Sequence, residues 1–351
     1  MTVWMRARSD GAASSPRQKA VLAESGAEGG RDRRLTGFVE KYALIAAWVA
    51  VIAVFGALEP SKFLTLANLR NILGSQAVLV VLTLGLAIPL TSGDYDLSIA
   101  SVLTLSSMTV AVLNVNDHVA IGFALVVALT IGAVAGAVNG LLVVFLKIDS
   151  LIVTLGTGTI MTGIVLWMSD SLTISGISPA LVRAVIGDKV AGVPVEFFYG
   201  LGVCIALWYF LELTATGRRL LFVGRGRNVA RLNGVNVRRM RVAAMMAASI
   251  LGAAAGVLYA GTAGAADPSS GTSLLLPAFA AVFLGSTAIV PGRFNAWGSF
   301  AAVYFLVTGI TGLQLAGVPA FVQQLFYGSG LIGGVALRQL LRRSELKDAE
   351  G

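Results

Sequence analysis

Charged residues make up only 13% of this 351-residue chain, against 56% hydrophobic ones. A soluble domain carries about a quarter charged residues. A chain this poor in charge cannot coat itself against water, so most of it faces lipid or other buried helices. The single cysteine, Cys204, excludes an intrachain disulfide, and with the single histidine, His118, it excludes a Cys/His zinc cluster. No lysine follows a glycine, so there is no G-x-x-x-x-G-K-[ST] phosphate loop. No other residue set supports catalysis, and no cofactor is expected in this chain. Any ATP and Mg that drive it belong to a partner. The net charge of +8 does not point to nucleic acid, because the basic residues sit in short blocks between apolar stretches rather than along one face. No apolar run lies close enough to Met1 for a secretory signal.

What is present is a series of apolar segments of spanning length, about 20 residues each. They fall near 41–58, 69–90, 98–113, 119–146, 151–168, 197–214, 242–262, 276–290, 296–315 and 318–337. The fold expected is all-α: a polytopic membrane protein of about ten transmembrane helices, some of them broken. Residues 1–36 read as a disordered, mildly basic tail, 37–340 as the membrane domain, and 341–351 as a second tail. With both termini cytoplasmic, 22 of the 26 Lys and Arg fall in inward-facing pieces, as the positive-inside rule requires. The largest outer piece, Asp170–Glu196, has a candidate short helix at Pro179–Ile186 and reads equally as a docking place for a soluble partner or as a plain connecting loop.

The loop 215–241 has eight arginines and no acid. It contains a predicted short helix, Asn228 to Leu232, between Gly226 and Gly234, with Asn228 as N-cap and Asn233-Gly234 as the stop. An ordinary basic loop near anionic lipid explains the charge. It does not explain a helix set between glycines, which suits insertion into a groove on a motor protein.

Two interruptions stand out. In Gly85–Ser98, Pro89 removes a backbone donor and Gly93 permits unusual dihedrals, so a helix break is expected. Asp94 and Asp96 stand at its edge, and a carboxylate facing lipid costs about 2.5–3.5 kcal/mol. Asp96 or Ser98 caps the helix starting near Ile99, or the break lines a pathway. Gly285–Gly298 looks like a counterpart in a second half. The pathway candidates are therefore Asp94, Asp96, Ser98, Thr287 and Asn295. The runs Gly132–Gly140 and Gly252–Gly256 are small-residue faces for close helix packing.

From about Asn68 onward the chain resembles the permease subunits of ribose/xylose/galactose-type ABC importers, relatives of branched-chain amino acid permeases. The resemblance rests on Asn68-Leu-Arg-Asn-Ile72, Gly93-Asp-Tyr-Asp-Leu-Ser98, Thr154-Leu-Gly-Thr157, Thr216-Gly-Arg218, Gly226-Arg-Asn228, Ala230, Gly234 and Val235. Pro89, Tyr95, Leu274–Pro277, Gly285-Ser286 and Pro291–Asn295 depart from the family pattern. The resemblance implies a bacterial inner-membrane permease that pairs with a second permease, identical or different. It also implies two ATP-binding subunits beneath and a soluble substrate-binding protein outside. The coupling segment would comprise Arg225, Arg227, Asn228, Ala230, Arg231, Asn233 and Gly234. A monosaccharide or related polyol is the expected cargo; branched-chain amino acids or nucleosides on the same fold, and a stand-alone secondary carrier, are the alternatives. A carrier usually holds ionisable groups inside its helices. Here mid-span acids are nearly absent, with Glu212 near a helix end.

Overall fold

The computed structural model describes residues 41–187, 189–190 and 192–350, with side chains through 339. The expected tail 1–36 lies outside them. Among the described residues, eight helices are long and apolar enough to span a membrane. In chain order the elements are α1 (Lys41–Leu58), α2 (Leu66–Gly74), α3 (Ala77–Thr91), α4 (Ile99–Ala111), α5 (Ile121–Phe145), α6 (Ser150–Ser169) and α7 (Val195–Trp208). After these come α8 (Ala215–Arg225), α9 (Arg227–Leu232), α10 (Val237–Ala263), α11 (Ser270–Gly285), α12 (Ala296–Leu315) and α13 (Phe321–Glu350). Helices α2 and α3 form one span, Leu66–Thr91. The shorter apolar α11 and the start of α13 fill the remaining expected segments.

Several boundaries differ from expectation. Helix α11 occupies 270–285 rather than 276–290: Pro277 is tolerated inside it, and the chain leaves the helix at Ser286. Pro89 lies within the last turn of α3, and the break itself spans 92–98. Helix α13 runs on to Glu350 rather than stopping near 337.

All fifteen residues of α3 are buried, which makes it the axis of the bundle. Helix α10 packs against α3, α4 and α5. Lipid supplies no hydrophobic drive between helices, so close approach must come from small residues. Gly132, Gly136 and Gly140 of α5 rest on α10 at Ser249, Met246 and Val242, where any side chain would collide. Gly252 and Gly256 of α10 do the same against Ile99 and Leu103 of α4. The small-residue faces are packing surfaces.

The two ends of the bundle sort as the charge distribution predicts. At one end Ile174–Ser175 pairs antiparallel with Ala265–Ala266, and Pro194 packs on Gly74. At the other, the break 92–98, the segment 215–241, the break 286–295 and Arg338 meet. Four pieces far apart in sequence thus share one face.

Candidate functional site

The basic segment 215–241 folds into α8, α9 and the first turn of α10 rather than one short helix in a loop. Thr214 caps α8 by accepting from the Gly217 amide at 3.0 Å, a signal already present in the sequence. Helix α9 begins at Arg227, with Gly226 as its cap residue and no side-chain cap. The expected N-cap, Asn228, is instead exposed in the first turn. Arg227 sits in the first turn, and its guanidinium reaches the first break. The stop holds as expected. Gly234 adopts φ +78, and the Val235 amide reaches back to the Ala230 carbonyl at 3.0 Å. Ala230 is fully buried, in a small core with Val223 and Val237, whereas Val229 and Leu232 are 54% and 87% exposed. Arg225 and Arg231 are exposed beside them.

Asp94 ties this hairpin to the first break. Its carboxylate is 2% exposed. Oδ1 accepts from Arg227 at 2.8 Å and from Arg241 at 2.6 Å, and Oδ2 accepts from Arg241 Nε at 2.7 Å. The Ser92 hydroxyl adds a bond to Oδ2 at 3.2 Å. Arg227 also donates to the Gly93 carbonyl at 2.9 Å. Charge-assisted bonds of this kind are the strong ones. A second contact is steric: a side chain at Gly224 would strike the Thr91 carbonyl, so α8 lies directly on the end of α3.

The second break is tied to the same hairpin by the ion pair between Arg293 and Glu212, just before α8. Asn295 sews that break together. Its Oδ1 caps α12 through the Gly298 amide at 2.7 Å, while its Nδ2 donates to the Ala288 carbonyl at 3.0 Å. Thr287, also buried, donates to the Leu284 carbonyl at 2.7 Å.

Asp96 and Ser98 belong to a buried polar chain. Asp96 Oδ1 accepts from the Ser98 amide at 2.9 Å and its hydroxyl at 2.6 Å, so the acid holds the entry to α4. Asn139 donates to Ser98 at 2.8 Å and accepts from Thr157 at 2.7 Å. Thr154 accepts from the Leu97 amide at 3.0 Å. Burial pushes the Asp96 carboxyl up to about 6, against the opposing pull of the Ser98 bonds. Asn139 is the member that sequence reasoning overlooked, because it sits in a glycine run read only as a packing face.

The five pathway candidates are thus all buried at the two breaks, each bonded to its neighbours. The coupling candidates divide: Arg225, Asn228, Arg231, Asn233 and Gly234 are exposed, Arg227 is turned to Asp94, and Ala230 is buried beneath the hairpin. Among the described residues no His/Cys/Asp/Glu group could hold a metal ion.

Residues 68–334 match the model of the branched-chain amino acid transport system / permease component family. The D-allose transport system permease protein of Escherichia coli K12 is 28% identical over 306 residues, 87% of this chain and 94% of that protein. The autoinducer 2 import system permease protein of Enterobacter sp. strain 638 is 32% identical, covering 86% and 88% of the two chains. The ribose import permease protein of Bacillus subtilis strain 168 is 31% identical, covering 86% and 93%. No solved structure matches. With a family match over most of its length and relatives aligned nearly end to end, the chain belongs to this permease family and is a multi-pass inner-membrane transport component.

Proposed function

We propose that this chain forms the membrane path of an ATP-driven importer for a small polar solute of the monosaccharide class. Allose and ribose, which name two of its relatives, favour a sugar or related polyol over an amino acid or nucleoside. Helix α9 and its rim, from Arg225 to Gly234, are the seat for a separate ATP-binding subunit that carries ATP and Mg. A soluble binding protein delivers cargo to the opposite face, and the permease works as a pair, homomeric or heteromeric.

One observation carries this reading. Leu232, an apolar side chain 87% exposed, projects from a six-residue helix whose opposite face is anchored by fully buried Ala230. A large apolar side chain held rigidly in water suits burial in a partner's groove. The two helix breaks attach to the same hairpin through Asp94 and Glu212, so motion of the docked subunit reaches both of them. On this reading Asp94, Asp96, Ser98, Thr287 and Asn295 pin the breaks rather than bind solute.

The test is co-purification of the permease with its ATP-binding subunit and measurement of solute-stimulated ATPase activity in lipid. Leu232→Asp is expected to abolish both co-purification and stimulation while leaving the permease monodisperse. Unchanged complex formation by Leu232→Asp would remove α9 as the seat.

A further inference from the structure

Beneath α1 lies a crevice of about 400 Å³, bounded by Trp48 and Ile52 of α1, by side chains between 63 and 73 at the start of α2, and by Tyr304 and Thr308 of α12. Trp48 and Ile52 lie within the span Lys41–Leu58, and Tyr304 and Thr308 within Ala296–Leu315, so the crevice sits at the depth of the hydrocarbon. Leu64, Leu66 and Leu69 in its wall are each more than half exposed, which leaves it open toward lipid. Among the described residues no charged side chain lines it. Its polar side chains are engaged within the protein. The Trp48 indole donates to the Thr308 hydroxyl at 2.9 Å, and that hydroxyl donates to the Tyr304 carbonyl at 2.6 Å. The Tyr304 hydroxyl donates to the Leu73 carbonyl at 3.2 Å. Thr65 accepts from the Asn68 backbone amide at 3.1 Å, and the Asn68 side chain donates to the Phe63 carbonyl at 2.8 Å.

We propose that this crevice binds one acyl chain of a membrane phospholipid. A polar solute would give up its water there and find few hydrogen bonds in return. An apolar cavity stays dry and takes up apolar ligands, and inside a bilayer the apolar ligand at hand is a lipid tail. The volume falls within the roughly 300–1,000 Å³ of small-molecule sites. The chain wedges between α1 and α2 while α1 stays pinned to α12, where a side chain at Gly312 would strike the Phe55 ring. The wedge matters because α1 is the least embedded of the eight spans, 11% buried against 83% for Leu66–Thr91. Its start is also tied to the second break: the Lys41 carbonyl accepts from the Ile289 amide at 3.1 Å. An acyl chain that steadies α1 therefore steadies the 286–295 segment as well.

The purified full chain is placed in phosphatidylcholine nanodiscs doped with a phosphatidylcholine whose acyl chain carries a diazirine, irradiated, and its adducts mapped by mass spectrometry. Adducts are expected on Ile72 and Tyr304, which are 7% and 1% exposed and out of reach of lipid that merely surrounds the bundle. Leu69→Trp and, separately, Ile52→Trp fill the crevice and should lose those adducts. Both should keep adducts on Phe123 and Val126, which face outward on α5. Stripping lipid in detergent should speed amide exchange at Ile289, and added phosphatidylcholine should slow it again, in the wild type but not in Leu69→Trp. Adducts confined to outward faces, or equal at Ile72 and Tyr304 in wild type and both filled variants, overturn the proposal. So does displacement of those adducts by free ribose, which would mark a solute site. A disulfide between two copies of Leu64→Cys formed in lipid would put a second copy over the crevice and overturn it too. Exchange at Ile289 that ignores lipid would overturn the support to the second break. None of these readouts involves the ATP-binding subunit, so they neither test nor depend on the docking seat.

Discussion

The Asp94 latch makes the sharpest quantitative demand. The carboxylate is buried and bonded by two arginines of unequal exposure, Arg241 at 15% and Arg227 at 40%. Removing one partner of a buried ion pair costs about 3–5 kcal/mol, because the other charge is left uncompensated. An exposed pair is worth about 1 kcal/mol or less, since water screens it. Asp94→Asn keeps an acceptor for one guanidinium but loses the charge, so it should destabilise the chain by about 2–4 kcal/mol, with most of the loss on the Arg241 arm. A double-mutant cycle isolates each arm. Thermal or denaturant unfolding in detergent should give a larger Asp94/Arg241 coupling energy than Asp94/Arg227. In lipid with the ATP-binding subunit, Asp94→Asn should retain ATPase activity yet lose uptake, since the docked hairpin no longer drags the first break. Equal coupling energies on the two arms would refute the burial argument. Undiminished uptake in Asp94→Asn would refute the latch.

Three further outcomes follow from the geometry. Gly224→Ala should lift α8 off the Thr91 carbonyl and expose the hairpin to limited proteolysis, whereas Gly226→Ala, whose added carbon meets nothing closer than 3.6 Å, should not. Asp96 titrates near 6 when folded and near 3.8 in its ordinary state, so its neutral form is the one folding favours. That stabilisation is complete below about 3.8 and fades as pH rises through about 6. The melting temperature of Asp96→Asn relative to wild type should therefore be higher at pH 7.5 than at pH about 4, and a pH-independent difference would count against the burial effect. Asn295→Ala removes the α12 cap and the bond to the Ala288 carbonyl, and should cost about 1–3 kcal/mol in the same unfolding assay.

Much of this architecture was legible because membrane insertion writes itself into composition. Spanning segments need about 20 apolar residues, so each expected segment carries a helix, and the described basic blocks fall at one end. Close-packed glycines were legible for the same reason: few alternatives to small residues allow such approach. Helix ends were less so. The break at 92–98 showed through Gly93, but Pro89 could not date the end of α3, since a proline in a helix's last turn loses only one bond. Asn228 has the right chemistry for an N-cap, but the helix starts one residue earlier, at Arg227 behind Gly226. Nothing in hydropathy says which two of eight arginines meet Asp94, or that Glu212 pairs with Arg293. Those are tertiary choices, made by where the bundle sets its helix ends.

The same tertiary choices explain why the two interruptions need different chemistry. The first uses a buried carboxylate that two arginines of the hairpin grip from different helices, Arg227 from α9 and Arg241 from α10. The second is closed internally by Asn295, a neutral side chain bonding nearby carbonyls and the Gly298 amide, and among the described residues its ion pair to the hairpin's approach is that of Arg293 with Glu212. A force applied at α9 therefore reaches the first break through charge-assisted bonds and a backbone contact at Gly224. It reaches the second through one half-exposed ion pair, about 1 kcal/mol or less by the usual worth of such pairs. Unequal stiffness follows: the 92–98 segment moves with the hairpin, and the 286–295 segment can lag. Spin-label distances from residue 219, exposed on α8, to residue 95 and to residue 291, measured with and without nucleotide on the docked subunit, should change less for the first pair than for the second. The reverse order would mean that the second break, and not the Asp94 latch, carries the stroke.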